Sequence, residues 1–135
     1  MYILMGDPIP LARARTSYVL RRCYDSQKMQ KMITGIELTK QHDDRPLFTG
    51  PLLFKCTFYL PLPSTVSKKK EPQYINKYHT TRPDCDNLVK YILDVCQGIC
   101  YNSDAIVSKI EATKLYCPVK EARTEFEFIV LKEHV

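Results

Sequence analysis

The chain has no apolar run approaching the roughly 20 residues that a membrane-spanning helix needs, which argues against a helical membrane protein. Its opening, Met1-Tyr2-Ile3-Leu4-Met5-Gly6-Asp7, lacks the basic region and long apolar stretch of a secretory signal. A cytoplasmic protein is therefore expected. It contains no CxxC pair and no HxxxH pair, the spacings that mark zinc modules. Cys85, Cys96, Cys100 and His79 could still be assembled into a zinc site, but in a reducing compartment the six cysteines read better as thiols buried like small apolar groups. Neither an internal repeat nor a domain linker is visible, and 135 residues suit one domain with one core, spanning residues 1–135.

What the chain has in excess is positive charge. Twenty Lys and Arg against fifteen Asp and Glu give a net charge of +5, which suits a polyanionic partner. Arg13, Arg15, Arg21, Arg22, Lys28 and Lys31 crowd the N-terminal third, and Lys68-Lys69-Lys70 form a run further on. Charge distribution alone is equally compatible with ordinary solvated faces.

Hydrophobic periodicity supplies the elements. Tyr2 to Met5 reads as a short buried strand, and residues 18–24 as a second extended segment. Over residues 26–39, Met29, Met32, Ile33 and Ile36 fall at i, i+3, i+4 and i+7, predicting a helix that buries this face, with Ser26 as its cap. Residues 52–60 alternate as a strand, with Phe54, Cys56, Phe58 and Leu60 on one side. A long polar segment, residues 64–81, follows as a loop. Leu88, Tyr91, Ile92, Val95 and Ile99 predict a second amphipathic helix ended by Gly98, and residues 105–116 and 124–132 predict two late strands. The order implies an α+β domain, a mixed or antiparallel sheet with two main helices packed on it.

Chemistry concentrates in Arg82-Pro83-Asp84-Cys85-Asp86-Asn87-Leu88-Val89-Lys90. Pro83 suits the first turn of a helix, so Asp84 and Asp86 stand where an extended approach turns helical and can point into one space. Hard cations such as Mg²⁺ prefer carboxylate oxygen. Asp86 and Lys90 share a helix face opposite Leu88, Val95 and Ile99, where the lysine could meet a phosphate. The bland alternatives are an N-cap for Asp84 and an i, i+4 pair for Lys90 with Asp86 or Asp94. Asp104, after the helix and before a strand, is expected to return near the pair, making three acids whose repulsion a divalent cation would offset.

These residues resemble the RusA family of Holliday junction resolvases. The acidic run is similar to that family's Asp-x-Asp-Asn-Leu followed by lysine. Asp94, Gly98, Tyr101, Asp104, Ile106-Val107 and Lys114 agree in order, as do the opening Gly6-Asp7-Pro8-Ile9-Pro10-Leu11-Ala12-Arg13-Ala14-Arg15 and Tyr24-Asp25. The resemblance implies a homodimer that binds four-way DNA junctions and nicks two opposed strands with Mg²⁺ or Mn²⁺. Residue by residue, it implies metal ligation by Asp84, Asp86 and Asp104, a catalytic role for Lys90 and a basic position at Arg82. Ser103 stands where many relatives carry a second acid. DNA contacts are expected from Arg13, Arg15, Arg21, Arg22, Arg82 and the Lys68, Lys69, Lys70 run. The alternatives are a metal-dependent nuclease for other branched DNA or RNA, and a binding module without catalysis.

Overall fold

A computed structural model describes residues 1–12, 15–17 and 22–132, with the backbone alone for residues 15–17 and 22–24. Its elements are β1 (Tyr2–Met5), β2 (Arg15–Ser17), β3 (Arg22–Tyr24), α1 (Lys28–His42), β4 (Leu52–Pro61), α2 (Cys85–Cys96), β5 (Val107–Cys117) and β6 (Arg123–Val130). The strands form a four-stranded mixed sheet of order β1-β6-β4-β5 and a separate β2-β3 ribbon. Among the described strands only the β4–β5 pairing is parallel; β4–β6 and β1–β6 are antiparallel. A parallel neighbour needs a long crossover, and here the crossover carries α2. The α+β reading therefore holds.

Alternation along β4 decides which side of the sheet is covered. Leu52, Phe54, Cys56, Phe58 and Leu60 are all buried, while Lys55 between them is exposed. Phe54 packs at a tilt against Phe126 and Phe128 of β6, and Tyr2 of β1 lies against Phe126 at 4.9 Å between ring centroids. Helix α2 adds Leu88, Tyr91, Ile92, Val95 and Cys96 to the same core, as its periodicity predicts. Gly98, at φ 83, ends the run in a turn that donates its N–H to the Tyr101 carbonyl.

Helix α1 departs from expectation. Met29, Met32, Ile33 and Ile36 do not face the core; they are 68%, 56%, 62% and 58% exposed. At about 100° per residue, the buried Leu38 lies roughly half a turn away from Met29. The inward side is largely polar and is matched bond by bond. Thr34 Oγ1 meets Tyr91 Oη at 3.0 Å, and the Lys31 ammonium joins Asp25 and Asp94 at 2.6 and 2.8 Å. Tyr2 Oη lies 2.7 Å from His42 Nδ1, while the other ring nitrogen faces the Pro46 carbonyl. The Gln41 side chain both accepts from and donates to the backbone of Ile3, closing the β1 edge there. Ser26 does not cap the helix either: the cap position is Gln27, whose side chain instead accepts from the Ala12 N–H and donates to the Pro10 carbonyl. Strand β1 is half open, with Ile3 and Met5 exposed.

The segment expected as a loop is also structured. A single helical turn, Glu71–Gln73, is followed by residues that pair with the outer edge of β5. Asn76 and His79 donate to the Tyr116 and Lys114 carbonyls, and Tyr116 donates back to Lys77. Edge strands need such covers, because their unpaired N–H and C=O groups invite pairing with other chains.

The inward face of α1 predicts a sharp contrast in stability. Leu38→Ala should cost about 2–5 kcal/mol, and Lys40→Ala, on an exposed position, less than about 0.5 kcal/mol. Urea unfolding of the two variants measures this, and equal effects would contradict the placement of α1.

Candidate active site

Asp84 is the N-cap of α2, in extended conformation, and the helix starts at Cys85. Pro83 lies before the cap rather than in the first turn, and its peptide bond with Arg82 is cis. The Asp84 carboxylate makes no capping hydrogen bond. Among the described residues Asp86, in the first turn, accepts only from the neighbouring Asn87 N–H, at 2.9 Å. Asp84, Asp86 and Lys90 are all exposed, and Lys90 stands one turn beyond Asp86 on the face turned from the core.

Ion pairing separates these acids from the structural ones. Asp25 and Asp94 hold Lys31 between them, and Glu125 holds Arg123. The Lys31 ammonium keeps the Asp25 carboxyl below its ordinary range, helped by the Gln27 amide. Burial alone would lower the Lys31 pKa; hydrogen bonds to the two aspartates turn the shift upward. Among the described residues, no ion pair includes Asp84, Asp86, Asp104 or Lys90. The i, i+4 pairing open to Lys90 is thus not made, and Asp94 is committed elsewhere.

Asp104 is not where the sequence suggested. It opens a single helical turn, Asp104–Ile106, capped by Ser103, whose Oγ accepts from the Ala105 N–H. The Asp104 N–H donates to Gln97 Oε1 at 3.1 Å, and Gln97 is the C-cap of α2. Asp84 and Asp86 stand at the other end of that helix. A helix of 12 residues is about 18 Å long. Accordingly, among the described residues no three His, Cys, Asp or Glu side chains converge on a metal-sized space. One chain offers the Asp84–Asp86 pair and leaves Asp104 apart.

The surroundings of the pair are basic and partly built by β5. Lys114 Nζ donates to the carbonyls of Thr81 and Pro83, each at 2.7 Å. Burial pushes the Cys85 thiol up, Lys114 pulls it down and Asp86 pushes it further up. The His79 ring lies tilted against Tyr116, with ring centroids 4.6 Å apart. Burial and the Lys114 charge lower its pKa below the ordinary histidine value. Lys68, Lys69, Lys70 and Arg82 are exposed on the segment leading into Asp84. The Leu11 N–H donates to the Asn87 carbonyl, which brings the opening segment beside the motif. Beyond it, Arg13 and Arg21 lie outside the described residues, and only the backbone is described for Arg15 and Arg22. A groove of about 570 Å³ opens elsewhere, between β1 and α1, and of the four candidate residues none lines it. The acids stand on an open surface of the kind that a duplex can reach.

A family model described as Endodeoxyribonuclease RusA matches residues 6–127. The chain belongs to the RusA endodeoxyribonuclease family. It is also similar to "Uncharacterized protein YqaN" of Bacillus subtilis (strain 168), at 30% identity over 132 residues, covering 92% of this chain and 91% of that one. Membership makes this RusA-family chain a nuclease of the Holliday junction resolvase kind. No helix among the described residues is long and apolar enough to cross a membrane. Sequence reasoning missed Lys114 as part of this surface, although it noted the residue; its carbonyl partners are 31 and 33 positions away, and no local pattern reports them.

Because the Asp84 carboxylate makes no capping bond, its removal should leave the fold nearly untouched. Asp84→Ala should lower stability by less than about 0.5 kcal/mol, where a working cap is worth about 1 kcal/mol. Asp94→Ala, which takes a partner from Lys31, should cost more. Urea denaturation of both variants decides; a larger loss for Asp84 would make it a structural cap.

Proposed function

We propose that this chain is a Mg²⁺- or Mn²⁺-dependent endodeoxyribonuclease that resolves four-way DNA junctions as a homodimer in the cytoplasm. The observation that carries the reading is the exposed Asp84–Asp86 pair at the start of α2, outside any described ion pair, with Lys90 one turn away. Carboxylate oxygens are the donors a hard cation prefers, and one or two of them with substrate phosphate suffice for Mg²⁺. The pair fits such an ion, which would supply positive charge against the phosphate oxygens at neutral pH. Lys90 adds a positive charge on the same face for the phosphate as it becomes pentavalent. Arg82 and Lys68, Lys69 and Lys70, together with Arg13, Arg15, Arg21 and Arg22, hold flanking phosphates, so binding weakens steeply with salt.

A dimer answers two requirements at once. A four-way junction has approximate two-fold symmetry, and two symmetric nicks need two symmetric sites. Asp104 is also stranded at the far end of α2, and a two-fold axis crossing that rod sets the end of one α2 beside the start of the other. Each site then takes Asp84 and Asp86 from one chain and Asp104 from its partner. The stripe Met29, Met32, Ile33 and Ile36 supports this reading, because each such side chain contributes roughly 1.5–3 kcal/mol when fully covered.

On a labelled synthetic junction the protein should make paired, symmetric nicks only with Mg²⁺ or Mn²⁺, and Asp84→Asn or Asp86→Asn should bind without cutting. Full activity of either variant would remove the metal-site assignment. Binding without cutting by the unmodified protein would point to a binding module, and equal cutting of linear duplex or flaps to another nuclease. In sedimentation velocity, Ile33→Glu combined with Ile36→Glu should turn a dimer into a monomer. An unmodified protein that sediments as a monomer yet makes paired cuts would contradict the dimer.

A further inference from the structure

Lys114 uses its charge in an uncommon way. It stands on β5 opposite Phe58 in the parallel pairing, on the sheet face that α2 covers, and is half-buried. A lysine so placed would ordinarily seek a carboxylate. Instead its ammonium donates to two neutral carbonyls, Thr81 O and Pro83 O, at 2.7 Å each. The next residue is Asp84, whose own carbonyl accepts the Leu88 N–H and starts α2. The approach to the acid pair is thus held on one side by the helix and on the other by β5. His79 extends the hold, since its N–H donates to the Lys114 carbonyl.

We propose that Lys114 is a positioning residue for the acid pair: by holding the Thr81 and Pro83 carbonyls it fixes the direction in which Asp84 leaves the chain, and keeps the Asp84 and Asp86 carboxylates directed at one space. The inference rests on reading that pair as a metal site. Lys114 touches neither substrate nor cation; it acts through the backbone that carries the ligand. Its charge is spent on carbonyls, so the carboxylates stay open to an ion.

The test compares the full-length protein with Lys114→Met and Lys114→Arg. Calorimetric titration with Mn²⁺, without DNA, should show the Met variant binding about 10–100-fold more weakly, the range typical when a group that orients a ligand is removed. On the labelled junction it should need correspondingly more Mn²⁺ for half-maximal nicking, while its junction affinity without metal stays within about twofold of the original. Lys114→Arg, which keeps the positive charge and N–H donors for both carbonyls, should recover most of the Mn²⁺ affinity. Lys114→Gln, which loses charge and reach, is read in the same way if the Met variant does not fold. Unchanged Mn²⁺ affinity and metal requirement in the Met variant, with an active parent, would overturn the role of Lys114 alone. Loss of junction affinity and thermal stability in parallel, without rescue by Arg, would make it a structural residue and overturn it too. A parent protein that neither binds Mn²⁺ nor cuts would overturn the metal-site reading itself.

Discussion

Helix α2 is the constraint on which the site depends. Its apolar side, Leu88, Tyr91, Ile92, Val95 and Cys96, is buried against the sheet and α1, so the helix cannot turn about its axis. That immobility sets Asp86, Lys90 and Asp94 outward in a row. It also keeps the acids of the two helix ends about 18 Å apart along the axis. Rotation or shortening of α2 would bury a charge or open the core, and either costs several kcal/mol. A three-acid centre within one chain is therefore not available by small adjustment, and the proposed dimer would complete it with the second copy.

The distribution of charge follows the same division of labour. Some carboxylates are held in ion pairs: Asp25 and Asp94 with Lys31, Glu125 with Arg123. Those that face the proposed substrate have no such partner among the described residues. Two unpaired carboxylates two residues apart repel one another, and the start of a helix, with its positive dipole end, offsets part of that repulsion. Lys114 and Arg82 leave the neighbourhood basic without closing the pair. A surface arranged this way gives up a little stability in exchange for an opening that an ion and a phosphate can fill.

Much of this was legible in the residues. The alternation of β4 and the 3.6-residue period of α2 both report burial, because one face of each is apolar and the other polar. The acidic motif was legible because it is local, lying within nine consecutive positions. Helix α1 misled for a physical reason. Its inward face is made of Lys31, Thr34, Leu38 and His42, satisfied by partners far along the chain, and its apolar stripe points to solvent. Periodicity detects a stripe but does not say which side the protein covers. The 64–81 segment misled similarly, since its pairing with β5 uses backbone groups that any side chain supplies. Asp104 was correctly seen to lie between helix and strand. Its distance from Asp84 depends on which end of α2 the chain returns to, and the Gln97 contact, not the motif, reveals that.

The most direct test of a site shared between two chains mixes two inactive proteins. The Asp86→Asn and Asp104→Asn proteins are unfolded together, refolded so that chains exchange, and incubated with a labelled four-way junction and Mg²⁺. If the acids meet across the dimer, each heterodimer has one site with both substitutions and one with none, and single nicks should return. If the acids act within one chain, both sites of every heterodimer are damaged. The mixture would then stay as inactive as its parents, and that result would contradict the shared site.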